Sequence, residues 1–166
     1  MLFHGLVVDL EQMEVRIGEK GWHVYQIVRH PGGVGVLPLH DDGTVTLIRQ
    51  LRPAMGGSLL EIPAGRLNPG EDPAECGRRE LVEETGLSAG DLLPLGLFYS
   101  SPGVFDEVIH LFLGTGLTQG PDDPEHYEEI EKVRLPLADA LRMARGDEIR
   151  DGKTIGALLR AGNVVR

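Results

Sequence analysis

This sequence predicts an α/β (α+β) fold, a mixed β-sheet with helices packed on it and an N-terminal β-meander. Three observations point there. Runs rich in β-branched residues dominate the first sixty positions. One helix with both ends written into its residues follows at Asp72–Thr85, and strands with two further helices finish the chain. No repeat or low-complexity tract breaks that order, and 166 residues suit one domain, 1–166, with a proper core.

In order along the chain, Leu6–Leu10, Glu14–Ile17 and Trp22–Arg29 are expected as short strands of the meander. Val34–Leu39 and Thr44–Gln50 flank His40-Asp41-Asp42-Gly43, whose Asp-Asp-Gly is good hairpin-turn chemistry. Leu59–Ile62 is a further strand that runs into Pro63-Ala64-Gly65. Asp72 can cap the helix, Pro73 suits its first position, and Glu75 completes a capping-box pattern. Gly86 can take the left-handed conformation that stops it, with Leu87 folding back as the apolar contact. Leu95–Tyr99, Val108–Leu113 and Ile130–Leu135 read as strands, Leu137–Ala144 and Thr154–Arg160 as helices. Between them Gln119–Glu129 is a polar, acidic loop of unusual length, of a kind more often functional than merely connecting.

Composition narrows the partners. Hydrophobic residues make up 41% and charged residues 25%, a globular balance. The formal charge of −10, from 26 acidic and 16 basic residues, repels nucleic acid and anionic membrane, so both are disfavoured. A phosphate ester still binds such a chain if divalent cations stand between the two. Met1–Glu11 lacks a basic segment followed by a long apolar one, and no run approaches the roughly 18 apolar residues of a membrane span, so the cytoplasm is expected. The single cysteine, Cys76, sits mid-helix with no adjacent histidine and reads as packing, and the six histidines show no metal-ligand spacing.

The chemistry lies in residues 65–87, GRLNPGEDPAECGRRELVEETGL. Glu80 and Glu84 are four apart on the helix and Glu83 is three from Glu80, so all three can face one way. Nothing in the i,i+4 pattern is expected to pair them off, and Arg78 and Arg79 flank the cluster without neutralising it. Hard oxygen ligands at this spacing suit Mg²⁺ or Mn²⁺, which keep several waters and recruit substrate phosphates. Glu71, in the turn before the helix, can reach the cluster or Arg79. The opposite stripe, Ala74, Gly77 and Leu81, is small and apolar and should pack on the sheet. A solvated acidic face is the plain reading of any Glu-Glu pair, but the spacing, the caps and the glycine loop argue against it here.

This frame of Gly65, Glu71, Arg79-Glu80-Leu81, Glu83-Glu84 and Gly86-Leu87 resembles the signature of the Nudix hydrolase family at every specified position. Seven fixed residue types at ~6–7% each match by chance with a probability on the order of 10⁻⁹ to 10⁻⁸. Beyond this box the resemblance runs from Trp22 to Gly146. Arg49-Gln50-Leu51-Arg52-Pro53, Leu60–Gly65 and Ser101-Pro102-Gly103 with Asp106-Glu107 look like the ADP-ribose pyrophosphatase subgroup, in which a proline follows the box glycine by about sixteen positions, as Pro102 follows Gly86.

The resemblance implies a Nudix fold, an α-β-α sandwich around a mixed β-sheet. It implies Mg²⁺-dependent attack of water on a phosphorus of ADP-ribose, giving AMP and ribose 5-phosphate. Glu80, Glu83 and Glu84 would bind metal with the carbonyl of Ala64, while Glu71 and Arg79 buttress the cluster. Arg52 would touch phosphate or terminal ribose, Glu61 would lie near the substrate or the metals, and Arg49 and Pro102 are also placed at the substrate. A late-loop glutamate would act as base, Glu128 aligning best with Glu125 and Glu129 as rivals; the same acidic run reads equally as a solubilising loop. The resemblance also implies a homodimer through residues 1–30. Trp22 and Tyr25 fit either a nucleobase stack or a core or dimer contact. The nearest rival substrate is another nucleoside diphosphate sugar such as GDP-mannose. An NADH-cleaving enzyme is disfavoured because the Pro- and aromatic-rich tail of that subgroup is missing after the box. A non-catalytic nucleotide-sensing module, the reading from a different class, is disfavoured by the intact box, by the lack of an attached DNA-binding domain and by the charge.

Overall fold

The computed structural model describes residues 1–121 and 130–165. Its elements are β1 (Phe3–His4), β2 (Asp9–Arg16), β3 (Trp22–Arg29), β4 (Gly33–Pro38), β5 (Thr44–Arg52), β6 (Gly57–Glu61), β7 (Ala64–Arg66), α1 (Pro73–Thr85), β8 (Leu87–Tyr99), β9 (Val108–Gln119), β10 (Ile130–Pro136), α2 (Leu137–Arg145) and α3 (Gly152–Val164). The α/β class stands, but the strands divide among three sheets rather than forming one. They are an antiparallel meander β1-β2-β3, an antiparallel β10-β5-β6 and a mixed β7-β4-β9-β8, in which β4 and β9 run parallel.

Two local expectations give way to pairing. Leu6–Leu10 and Glu14–Ile17 are not separate strands: β2 runs unbroken from Asp9 because each residue is matched by one of β3, from Asp9 with Arg29 to Arg16 with Trp22. Ladder bonds offset the weak strand propensity of the polar stretch at Glu11 and Gln12. The turn at His40–Gly43 forms as expected, with His40 N–H donating to Thr44 O at 2.8 Å and Gly43 at φ 79°. It does not close a hairpin ladder, however. A single bridge, Leu39 to Val45, joins the flanking strands before β4 pairs with β7 and β9 and β5 with β6 and β10.

Strand alternation splits the core in two. Val34 and Val36 of β4 and Phe112 of β9 face α1, where they pack with Cys76, Leu81 and Leu87. Leu37, Leu111 and Leu113 point the other way, toward Leu47 of the second sheet, Ile62 just after β6, and Ala157, Leu158 and Ala161 of α3. The expected apolar stripe of α1 packs on this sheet: Leu81 is fully buried, and a Cβ on Gly77 would stand 3.0 Å from Val36 Cγ2. The meander is docked by Asp106, whose Oδ2 accepts from Arg29 Nη1 at 3.0 Å and whose Oδ1 accepts from His30 N at 2.9 Å. Its outer surface leaves Leu6, Trp22 and Val24 exposed. Among the described residues no helix is long and apolar enough to cross a membrane.

Candidate active site

The helix α1 is cut to length by local chemistry. Asp72 Oδ1 accepts from the N–H groups of Ala74 at 2.8 Å and Glu75 at 3.2 Å, Pro73 occupies the first turn, and Gly86 stops the helix at φ 71°. This register turns Glu80 and Glu84 away from the core stripe and onto Gly65 and Ala64 of β7.

Arg79 organises the carboxylates. Its Nε and Nη2 fork onto Glu71 at 3.0 and 3.2 Å, while Nη1 donates to Glu80 Oε1 at 2.7 Å and to Glu83 Oε2 at 2.9 Å. The expectation that no i,i+4 partner exists is therefore corrected: Arg79 and Glu83 are that pair. Arg78 does not flank the cluster, since its guanidinium turns to the Ala89 carbonyl of β8 at 2.5 Å. The Arg79 guanidinium, with the Asn68 N–H, holds the Glu71 carboxyl down to about 2. Cys76, buried beneath Arg79, has its thiol pushed up to about 12 by burial, which makes it packing rather than a nucleophile.

The segment Ala64–Arg66 forms the floor. Ala64 N–H donates to Glu84 Oε2 at 2.8 Å, and Glu84 is buried. The Glu80 carboxylate lies directly over Gly65, where a Cβ would stand 1.8 Å from Glu80 Cδ. Only glycine leaves room for it. Three carboxylates, Glu71, Glu80 and Glu83, thus meet one guanidinium, with Glu84 beside them on the Ala64 N–H, and this surplus of hard oxygen suits a divalent cation. As the side chains stand, with Arg79 holding Glu80 and Glu83, no three His, Cys, Asp or Glu groups among the described residues converge to ligating distance. Glu80, Glu83 and Glu84 with the Ala64 carbonyl are the groups that can hold such an ion once the Arg79 contacts rearrange.

Beside this floor opens a cleft of about 460 Å³, a volume in the range of small-molecule sites. Arg52, Asp151 and Lys153 line one wall, and His30, Phe98 and Glu107 line another. Arg52 grips the buried Glu61 carboxylate through Nε and Nη2, both at 2.8 Å. Burial opposes ionisation of Glu61, but Arg52 and Lys153 prevail and hold its carboxyl below the usual range. His30 Nδ1 accepts from Gly32 N–H at 3.1 Å, and burial lowers its pKa against the pull of Glu107.

The structure brings together Glu71, Arg79, Glu80, Glu83, Glu84, Ala64, Arg52 and Glu61. It does not bring Arg49 or Pro102 into the cleft. Arg49 lies on the opposite face of β5, paired with Glu131 at 3.0 Å, and Pro102 lines a separate depression with Tyr25 and Phe105. Trp22 is exposed on the meander. Glu125, Glu128 and Glu129 lie outside the described residues. Sequence reasoning missed Asp151 and Lys153, since it began the last helix at Thr154. The usable signal was Asp151 three positions before Thr154, an N-cap that the structure realises at 2.9 Å.

Comparison with known proteins shows the family and the fold. The NUDIX domain model matches residues 29–156. The chain is 37% identical to the ADP-ribose pyrophosphatase of Bacillus subtilis (strain 168), over 95% of this chain and 86% of that protein. It is 32% identical to the ADP-ribose pyrophosphatase of Mycobacterium tuberculosis (strain ATCC 25618 / H37Rv), over 95% of this chain and 78% of that one. The GDP-mannose pyrophosphatase of Salmonella typhimurium is 36% identical over 84% of this chain and 78% of its own length. The crystal structure of an ADP compounds hydrolase superposes with a TM-score of 0.85, covering 99% of this chain and 89% of that one at 22% identity, a likeness of fold.

Proposed function

We propose that this chain, which belongs to the NUDIX family and is a Nudix pyrophosphohydrolase, cleaves the phosphoanhydride of ADP-ribose with water, releasing AMP and ribose 5-phosphate. The observation that carries the reading is the sharing of one cleft by Arg52 and Gly65, the glycine beneath the Glu80 carboxylate. The guanidinium suited to a phosphate then shares its cleft with Ala64 and Gly65, the residues that touch Glu84 and Glu80.

Each residue has a physical task in this reading. Glu61 occupies Nε and Nη2 of Arg52, so its plane is held and Nη1, without a partner among the described residues, is available to a diphosphate oxygen. Glu80, Glu83 and Glu84 with the Ala64 carbonyl would hold Mg²⁺, with Mn²⁺ as a substitute. The bound metal supplies neutralisation of the diphosphate and acidification of water. Arg79 and Glu71 hold Glu80 and Glu83 close together on α1, so that a metal would exchange for the Arg79 contacts rather than gather its ligands from afar. Glu128, ahead of Glu129 and Glu125, is assigned to orient the attacking water. The reading includes a homodimer whose contact covers Leu6, Trp22 and Val24, and a cytoplasmic location with no nucleic acid or membrane partner.

A second substrate, GDP-mannose, is favoured by the relative that bears that name, because the box sets the reaction and not the ends of the substrate. Product analysis on ADP-ribose, GDP-mannose, NADH, diadenosine polyphosphates and 8-oxo-dGTP, with Mg²⁺ and with EDTA, decides between them. AMP from ADP-ribose only with Mg²⁺ supports the proposal. Selective cleavage of GDP-mannose overturns the substrate and keeps the chemistry.

A further inference from the structure

Lys153 stands at the second position of α3, where a cation opposes the helix dipole. Helix stability therefore does not explain it. Its side chain is 12% exposed, and its ammonium is held between Glu61 Oε2 and Asp151 Oδ1, the latter at 3.0 Å. Asp151 Oδ2 in turn accepts from Thr154 N at 2.9 Å and from Thr154 Oγ1 at 2.5 Å. Thr154 Oγ1 accepts from Ile62 N at 2.8 Å. Adjacent residues of the chain leaving β6, Glu61 and Ile62, are thus stitched to the start of α3 in a closed ring of polar contacts.

We infer that Lys153 is a positioning residue, which fixes the buried Glu61 carboxylate from behind so that Arg52 presents its guanidinium to the diphosphate in one orientation. The charges fit this role. Arg52 and Lys153 balance Glu61 and Asp151, so the wall is neutral as a group, and the Lys153 ammonium, although at the wall of the cleft, is held by two carboxylates. Without Lys153, Glu61 is anchored by Arg52 alone, and a singly anchored carboxylate holds the guanidinium less steadily, so that Arg52 no longer meets the substrate in one orientation.

The inference rests on the proposed hydrolysis, and its test separates the two. K153M, R52Q and the double variant are measured with ADP-ribose beside wild type and K153R. In wild type and K153M, exchange of the Arg52 Nε–H with water is followed by NMR, the resonance being assigned by its loss in R52Q. K153M should raise KM about tenfold with kcat within about twofold, K153R should restore KM, and K153M should add nothing in the R52Q background. The Nε–H, protected in wild type by Glu61, should exchange faster in K153M. Multiplicative losses in the double variant, or unchanged Nε–H protection, overturn the role of Lys153. No turnover of ADP-ribose by wild type overturns the substrate instead, and the exchange measurement still decides for Lys153. If K153M does not fold, D151N carries the test: it weakens the second anchor of Lys153 while keeping an acceptor for Thr154. A raised KM with steady kcat supports the role, and an unchanged KM overturns it.

Discussion

Replacing Gly65 by alanine tests whether the carboxylate resting on it belongs to the working site. The added Cβ would stand 1.8 Å from Glu80 Cδ and 1.9 and 2.3 Å from its oxygens. Since real Cβ contacts essentially never fall below 3.0 Å, the carboxylate must retreat by at least 1.2 Å, the difference between 3.0 and 1.8. Gly65 is not among the residues with positive φ, so alanine fits its backbone, and the displaced atoms are the far end of a flexible side chain. Stability should therefore change by less than ~1 kcal/mol, a Tm shift of at most ~2–4 °C. Catalysis should suffer more, because a displacement of about 1 Å in a catalytic constellation costs on the order of 10²-fold, or ~2.7 kcal/mol in the barrier. The assay is kcat at saturating ADP-ribose and Mg²⁺, with the apparent metal affinity and calorimetric Tm measured on the same preparations. A kcat within about threefold of wild type at unchanged metal affinity would show that Glu80 does not act from its seat over Gly65.

The E84Q variant should keep the bond from Ala64 N–H but lose a charge, lowering kcat by at least ~10²-fold under saturating Mg²⁺ with little change in Tm; near wild-type turnover would remove Glu84 from the metal site. For L81A, which empties a fully buried position of α1 against the mixed sheet, urea unfolding should show a loss of ~2–5 kcal/mol. His40 tests the pH response of the fold. Burial lowers its folded pKa below the unfolded value, so its contribution to stability is present above about 6.5 and is lost as pH falls through the folded value. The drop in Tm between pH 7.5 and pH 5.5 should accordingly be smaller in H40N than in wild type, and equal drops would refute the assignment.

The site was legible in the sequence wherever its cause is local. The capped ends of α1, the shared face of Glu80, Glu83 and Glu84, and the core stripe through Gly77 and Leu81 all follow from helical spacing and end chemistry within 65–87. The Arg79–Glu83 pair is equally local, one i,i+4 step along the same helix. Arg49 fails differently: three positions from Arg52 on an extended strand, it must point to the other face.

Residues 65–87 determined by themselves that a carboxylate helix would form, where it would end, and which family it belongs to. Backbone capping and i,i+4 geometry need nothing beyond one turn of chain. Only the tertiary structure decided that the turn at His40–Gly43 separates two sheets, since β4 finds its parallel partner β9 more than seventy residues away. Only it brought Lys153 to Glu61, 92 residues apart in sequence, to form the back wall of the cleft. Such pairings are chosen by the burial and hydrogen bonding that distant segments offer one another, and no local window of sequence carries that information.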